Sequence, residues 1–365
     1  MLIDLIAGAR PNFIKIASII RAFQSRKANS SRNLNYRLVH TGQHYDQNMS
    51  AAFFVQLGIP EPEVNLEVGS NTHARQTSAI MTAYENLLLD KPCDLCLVVG
   101  DVTSTMACAI TAQKLKIKVA HVEAGIRSDD WTMPEEINRM VTDSISNYFF
   151  TTSENANQNL KNSGISDDRI FFVGNTMIDT LLGNMKRFCK PTFWEELKLS
   201  EGNYFVLTLH RPDNVDETKK FIQMLEVVSK GSRGLPVVYP VHPRAAKNLT
   251  ELSGFAPNIQ FVDPQPYLEF NFLVRNSKAV ITDSGGITEE ATVMGIPCMT
   301  LRNSTERPET ISLGTNELVG RVPDNLLPYL NTLFEGKWKK GKVPPLWDGY
   351  AGERIVSHLE EILFC

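Results

Sequence analysis

The sequence predicts an α/β protein of two doubly wound domains, and three observations carry that prediction. Short apolar runs alternate with amphipathic stretches along most of the chain, which is the signature of βαβ units feeding a parallel sheet. The alternation runs through the first half, breaks over a polar stretch carrying proline and glycine, and then restarts. At 365 residues the chain is long enough for two domains that each bury a core.

Taken in order, strands are expected near Leu2 to Ala7, Tyr36 to His40, Leu95 to Gly100, Val119 to Val122 and Tyr148 to Thr151. Helical patterns fill the gaps, among them Asn12 to Phe23, Arg75 to Leu89 and Thr103 to Lys116. Val173-Gly174-Asn175 and the stretch from Lys186 to Gly202 then mark a hinge region. The second set of strands is expected near Tyr204 to Leu209, Val237 to Val241, Ile259 to Val262, Ala279 to Thr282 and Pro297 to Leu301. Domains are therefore placed at residues 1–175 and 176–345, with a final helix in residues 346–365 packing back across the hinge. Two such domains would face each other over a cleft at the carboxyl ends of their strands.

Composition excludes several function classes. With 42% hydrophobic and 21% charged residues the sequence reads as an ordinary globular protein. A net charge of −4 and a pI near 6.0 give no global attraction to nucleic acid or to an anionic membrane, so any phosphate recognition has to be local. No run approaches membrane-spanning length, and Met1 to Ala7 is too short for a signal peptide and lacks a basic leader, so a cytoplasmic location is expected. Cys93 and Cys96 have redox or zinc spacing, but they open a strand and no second pair completes four ligands, so the thiols read as packing. Cys365, as the last residue, cannot head a prenylation box. No metal and no cofactor is expected.

The residues that carry chemistry gather after strands. Glu123 follows one apolar run and Asp101 follows another, while Glu135, Glu136 and Arg139 lie close by in Met133-Pro134-Glu135-Glu136-Ile137-Asn138-Arg139. The carboxyl edge of a parallel sheet is where open α/β folds put their ligands. Thr282-Asp283-Ser284-Gly285-Gly286-Ile287-Thr288-Glu289-Glu290 runs from a strand end through paired glycines into a helix, where free N–H groups and the positive dipole end favour an anion. Glu290 is placed to hold ribose hydroxyls; the same segment also fits a plain glycine-rich turn. Gly8-Ala9-Arg10-Pro11-Asn12-Phe13-Ile14-Lys15 repeats the pattern with Arg10 and Lys15 as cations. It lacks the further glycines of a dinucleotide fingerprint and the context of a P-loop, which weakens nicotinamide and ATP readings. Arg302 and Arg307 add positive charge after a late strand, and His210 and His242 each end one.

Together, Gly8-Ala9-Arg10-Pro11, Thr41-Gly42-Gln43-His44, Gly100-Asp101-Val102-Thr103, His121-Val122-Glu123-Ala124-Gly125, Pro134-Glu135-Glu136-Ile137-Asn138-Arg139, Val173-Gly174-Asn175-Thr176, His242-Pro243-Arg244, Asp283-Ser284-Gly285-Gly286 and Thr305-Glu306-Arg307-Pro308 occur in that order over nearly the whole chain. This combination resembles the non-hydrolysing UDP-N-acetylglucosamine 2-epimerase family. The resemblance implies a glycosyltransferase-B-like fold with two Rossmann-like domains. It also implies a reaction that removes the C2 proton together with UDP, forms a 2-acetamidoglucal, and adds both back on the other face.

By the same resemblance Asp101, Glu123 and Glu135 are acid/base candidates, with His210 near the diphosphate or assisting proton transfer. Arg10, Lys15, Arg139, Ser284, Gly285, Gly286 and Arg307 would hold UDP or the sugar, and Glu290 the ribose. Gln43, His44, Gln76, Glu136 and His242 match positions that hold a second UDP-N-acetylglucosamine as activator in bacterial members, and a homodimer is implied. Two departures are visible: the spacing after Gln43-His44, and a short segment from Ile126 to Met133 that is more similar to relatives acting on UDP-2,3-diacetamido uronic acids. That substrate, and a hydrolytic enzyme releasing N-acetylmannosamine and UDP, are the alternative expectations. A binding protein without catalysis is a third, opposed by the cost of burying several unpaired acids.

Overall fold

A computed structural model of the chain describes residues 1–27, 33–42, 54–242, 245 and 256–364. Its first elements are β1 (Leu2–Ala7), α1 (Arg10–Lys27), β2 (Asn35–His40), β3 (Val64–Asn65), α2 (His73–Asp90), β4 (Leu95–Val99), α3 (Thr103–Lys114), β5 (Lys118–Val122), α4 (Pro134–Ile145), β6 (Tyr148–Thr151), α5 (Glu154–Asn162), β7 (Ile170–Phe172) and α6 (Thr176–Asn184). They continue as β8 (Phe205–Thr208), α7 (Pro212–Val215), α8 (Thr218–Gly231), β9 (Val237–Pro240), β10 (Ile259–Val262), α9 (Tyr267–Asn276), β11 (Ala279–Thr282), α10 (Gly285–Met294), β12 (Cys298–Thr300), α11 (Pro308–Ser312), β13 (Asn316–Leu318), α12 (Leu326–Phe334) and α13 (Ala351–Phe364).

The chain divides into two compact units, one of Met1–Asn184 with Pro345–Cys365 and one of Met185–Pro344. The sequence reading put this boundary at 175/176; it falls later because α6 is bound to α1. Thr180 Oγ1 donates to the Ile14 carbonyl at 2.7 Å, and Ser18 Oγ donates to the Thr176 carbonyl at 3.3 Å. The final helix is likewise part of the first unit: the Gly352 N–H donates to Asp179 Oδ2 at 2.7 Å, and Trp347 Nε1 donates to the Thr152 carbonyl at 2.9 Å.

In the first unit the strands form a parallel sheet in the order β3-β2-β1-β4-β5-β6-β7. In the second the order is β10-β9-β8-β11-β12-β13, also parallel. Every residue of β4 and of β11 is buried, as expected of central strands covered on both faces. The covering helices bring Ile80, Tyr84 and Ala112 onto the first sheet, and Phe221, Leu225 and Leu330 onto the second. The connectivity changes direction between β1 and β4 in one sheet and between β8 and β11 in the other. In open α/β sheets that switch point, at the strands' carboxyl ends, is where a ligand crevice opens.

The strands the sequence reading left out are β3, β7 and β13, each two or three residues long and at an edge or next to one. They are too short to show a strand pattern, and pairing with a neighbour makes them strands. Cys93, Cys96 and Cys108 are buried, and burial pushes the Cys93 thiol up to about 12, consistent with packing. Among the described residues no helix is long and apolar enough to cross a membrane.

Candidate active site

In the first unit the switch point is built by the segments after β1, β4 and β5. Asn12 fixes the first of them: its Oδ1 accepts from the Gly8 and Ala9 N–H groups at 3.1 and 3.0 Å, and its Nδ2 donates to the Val99 carbonyl at 2.8 Å. α1 thereby starts at a set height above the end of β4. Lys15, one turn further on, reaches Glu123, with Nζ 2.5 Å from Oε2. Both side chains are almost wholly buried. A Cβ at Gly100 would stand 3.1 Å from Lys15 Nζ, and the Gly100 φ of +70° lies in the left-handed region, so glycine there keeps the path of the lysine open. Glu123 itself has a φ of 68°, which a non-glycine residue adopts only where its surroundings impose it.

Asp101 is about one-third exposed and receives Arg139 Nη1 on its Oδ2 at 2.5 Å. Asn138 Nδ2 holds the Asp101 carbonyl at 2.8 Å. The same Arg139 reaches Glu136, with Nη2 2.6 Å from Oε2, and donates to Ser128 Oγ at 3.1 Å. Glu136 also accepts from the Ser128 and Asp129 N–H groups at 3.0 and 3.1 Å. Burial opposes ionisation of Glu136, but the Ser128 N–H and the Arg139 guanidinium prevail and hold it below the usual carboxylate range. Arg139 is 2% exposed, so it faces the protein's own acids and orients Asp101. Glu135, its neighbour in the first turn of α4, is half-buried and forms no ion pair among the described residues.

The second unit repeats the arrangement with opposite charge. Asp283 ends β11 fully buried, and His210 follows β8, its Nδ1 2.7 Å from Asp283 Oδ1. Asp283 Oδ2 accepts from the His210 and Arg211 N–H groups and from Asn214 Nδ2 at 3.0, 2.9 and 3.1 Å. Burial raises the Asp283 carboxyl, yet the hydrogen bond and charge of His210, with the Arg211 N–H and Asn214, hold it low. An ionised Asp283 can only accept, so His210 donates through Nδ1 and turns Nε2 away from the anchor. The His210 ring is 39% exposed, and the exposed His242 ring lies 5.8 Å from it, centroid to centroid.

Beside Asp283, α10 begins at Gly285 after Ser284, whose side chain does not cap it. The opening N–H groups there are donors for an anion. A Cβ on Gly285 would come within 2.6 Å of Glu306 Oε1. Glu306 is paired with Arg302, Oε2 to Nη2 at 2.7 Å, and although burial raises it, the Arg302 charge, helped by Arg307 and Arg211, brings it down to about 2. Arg307 pairs with Glu289, Nε to Oε1 at 2.6 Å. Glu290 is buried and accepts from Tyr267 OH at 3.0 Å.

The predicted residues thus fall into two sets. Asp101, Glu123, Glu135, Lys15, Arg10 and Arg139 stand around the β1, β4 and β5 ends; His210, Ser284, Gly285, Gly286, Glu290 and Arg307 stand around the β8 and β11 ends. Of the residues matched to an activator, Gln43 and His44 lie outside the described residues. Gln76 is buried and donates to the Gly69 carbonyl at 3.1 Å, Glu136 is held by Arg139, and His242 is beside His210. Sequence reasoning missed the roles of Asn12, Asn214, Asp283, His121 and Asp143. Asp283 had a signal, an acid between a strand and paired glycines; His121 and Asp143, 22 positions apart, had none. Among the described residues no group of three His, Cys, Asp or Glu side chains could hold a metal ion.

Comparison with known proteins gives a consistent picture. The family model described as UDP-N-acetylglucosamine 2-epimerase matches residues 26–360. A Methanocaldococcus jannaschii protein named UDP-N-acetylglucosamine 2-epimerase is 40% identical over 377 aligned residues, covering 98% of this chain and 99% of that one. A Pseudomonas aeruginosa protein named UDP-2,3-diacetamido-2,3-dideoxy-D-glucuronate 2-epimerase is 38% identical, covering 99% and 100%. Among solved structures, that of the Methanocaldococcus jannaschii UDP-GlcNAc 2-epimerase in complex with UDP-GlcNAc and UDP superposes with a TM-score of 0.88 at 40% identity, covering 99% of this chain and 100% of that one.

Proposed function

The chain belongs to the UDP-N-acetylglucosamine 2-epimerase family, and from that premise we propose how its side chains share the reaction. It is an isomerase that interconverts UDP-N-acetylglucosamine and its C2 epimer, with a UDP-sugar as substrate. The fold is the glycosyltransferase-B-like pair of Rossmann-like domains. A 40% identical protein has been solved in complex with UDP-GlcNAc and UDP, which favours that substrate; the uronate and the hydrolytic product are not favoured.

The C2 hydrogen beside an acetamido group is too weakly acidic for a free carbanion. The route we infer breaks the C2–H and C1–O bonds together: a carboxylate takes the proton, the C–H electrons form the C1=C2 double bond, and the C1–O pair leaves with UDP. Addition of UDP to the resulting 2-acetamidoglucal, with a proton delivered to the opposite face of C2, completes epimerisation. One base, one acid and a cationic hold on the leaving diphosphate are required.

Asp101, Glu123 and Glu135 are the proton carriers in this reading. The observation that carries it is that Asp101 and Glu123 stand at the carboxyl ends of the adjacent strands β4 and β5, each gripped by its own cation, Arg139 and Lys15. The diphosphate falls to the N-terminus of α10 at Ser284 to Gly286, with His210 Nε2, Arg10 and Arg307 as further donors and Glu290 on the ribose. Turnover in deuterium oxide with Asp101→Asn and Glu123→Gln tests this. Each amide should cost roughly 10²- to 10⁴-fold in kcat with UDP affinity retained, and deuterium should enter C2 in the native enzyme. Near-normal rates in both variants, or product without exchange, would sink it.

We extend the reading to a cytoplasmic homodimer and to a second UDP-N-acetylglucosamine acting as activator through Gln43, His44, Gln76, Glu136 and His242. Sedimentation and the shape of the rate curve test these: a monomer, and a hyperbolic curve unchanged in Gln76→Ala, would remove them.

A further inference from the structure

One buried polar network in the first unit takes no part in the chemistry above. His121, on β5, is wholly buried. Its Nδ1 lies 2.7 Å from Asp143 Oδ1 and its Nε2 lies 2.8 Å from the Gly100 carbonyl oxygen. Asp143 Oδ2 accepts from the Gly125 N–H at 3.1 Å and from Arg127 Nη1 at 2.6 Å. Burial raises the Asp143 carboxyl, but the His121 hydrogen bond and charge, with Arg127, hold it below the aspartate range, so it is ionised and accepts only.

Both ring nitrogens of His121 therefore meet oxygens that can only accept. The ring thus links a side-chain carboxylate on one segment to a main-chain carbonyl on another.

The groups this ring ties together are the two catalytic segments. The Gly100 carbonyl belongs to the peptide that enters Asp101, and the Gly125 N–H belongs to the turn that leaves Glu123. Glu123 sits at a φ of 68°, a conformation that a non-glycine residue keeps only with external support, and Gly125 at +78° follows two positions on in the same turn. His121 and Asp143 supply it, one holding each segment.

We propose that His121, anchored by Asp143, is a positioning residue that sets the separation of the Asp101 and Glu123 carboxylates without touching substrate. The proposal rests on the reading of those two acids as proton carriers. A displacement of about 1 Å at reacting groups costs on the order of a hundredfold in rate. His121→Phe, which fills the space without N–H groups, should lower kcat by about that factor while KM and UDP affinity stay within about twofold. His121→Gln, which keeps an N–H for the Gly100 carbonyl, should recover a large part of the loss. Wild-type kcat in His121→Phe, or equal loss of kcat and UDP binding in both variants, would overturn it.

The network can be read without any turnover. The buried Gly125 N–H, which Asp143 accepts, should exchange slowly with deuterium oxide in the native protein and roughly tenfold faster in His121→Phe; unchanged exchange in His121→Phe overturns the proposal even if the enzyme is active. If the native protein epimerises no UDP-sugar, the reading of Asp101 and Glu123 fails and the positioning role with it, while the exchange result stands separately.

Discussion

Lys15 and Glu123 form a buried ion pair, Nζ to Oε2 at 2.5 Å, between the second turn of α1 and the turn after β5. Removing one partner leaves the other charge buried and uncompensated, which costs about 3–5 kcal/mol in comparable sites. Lys15→Met should therefore lower the stability of the first unit by roughly that amount, and Lys15→Met with Glu123→Gln should recover part of it. Urea unfolding of the native, single and double variants measures this; additive losses would mean that the two side chains do not depend on each other.

Gly285 stands where a methyl group would press on a carboxylate that cannot yield, because Glu306 is locked to Arg302. Gly285→Ala should weaken UDP binding by about tenfold, a change of about 1.4 kcal/mol, with little effect on the melting of the first unit. Calorimetric titration with UDP checks it, and unchanged affinity would detach this helix start from the diphosphate.

Asp179 responds to pH in the reverse sense to Glu136, Asp283 and Glu306. Burial, outweighing the Gly352 and Ala351 N–H groups, pushes it up from 3.8 to about 6. A raised acid holds its proton more tightly in the folded chain, so the stability it adds is full below 3.8 and is lost as pH rises through about 6. Asp179→Asn keeps an acceptor for the Gly352 N–H and should be more stable than the native protein at neutral pH by roughly 3 kcal/mol, the gap closing on acidification. Urea midpoints measured from about pH 4 to about pH 7 decide; parallel curves would contradict it.

The substrate assignment predicts a ranking. Offered UDP-N-acetylglucosamine and its 2,3-diacetamido uronate counterpart separately, the enzyme should turn over the first with the higher kcat/KM and yield UDP-N-acetylmannosamine, identified by NMR. Free N-acetylmannosamine, or a preference for the uronate, would reverse it.

Sequence made some parts of this molecule legible and hid others for physical reasons. β4 and β11 could be read because strands buried on both faces must be apolar throughout, and Asp101, Glu123 and His210 could be placed because each follows an apolar run. The start of α1 was visible in Gly8 and Pro11, two residues whose backbone preferences announce a turn into a helix. Pairing was not visible. That Arg139 serves Asp101 and Glu136 at once, or that Asp143 reaches His121, depends on how helices lie on a sheet, and no local pattern encodes it. β3, β7 and β13 escaped because strands so short take their form from a neighbour. α6 was assigned to the wrong side of the boundary because a polar stretch marks a hinge only to within a helix length, and the bonds from Thr180 to Ile14 and from Ser18 to Thr176 settle which unit it joins.

The return of α13 to the first unit has a consequence for how the protein is made. Residues 185–344 are threaded into the first unit's chain as an insertion, so a ribosome releases the whole second unit before the first has its last helix. The half that begins synthesis is the half that finishes folding, and until Gly352 meets Asp179 the nascent chain carries α1 and α6 with an uncovered flank.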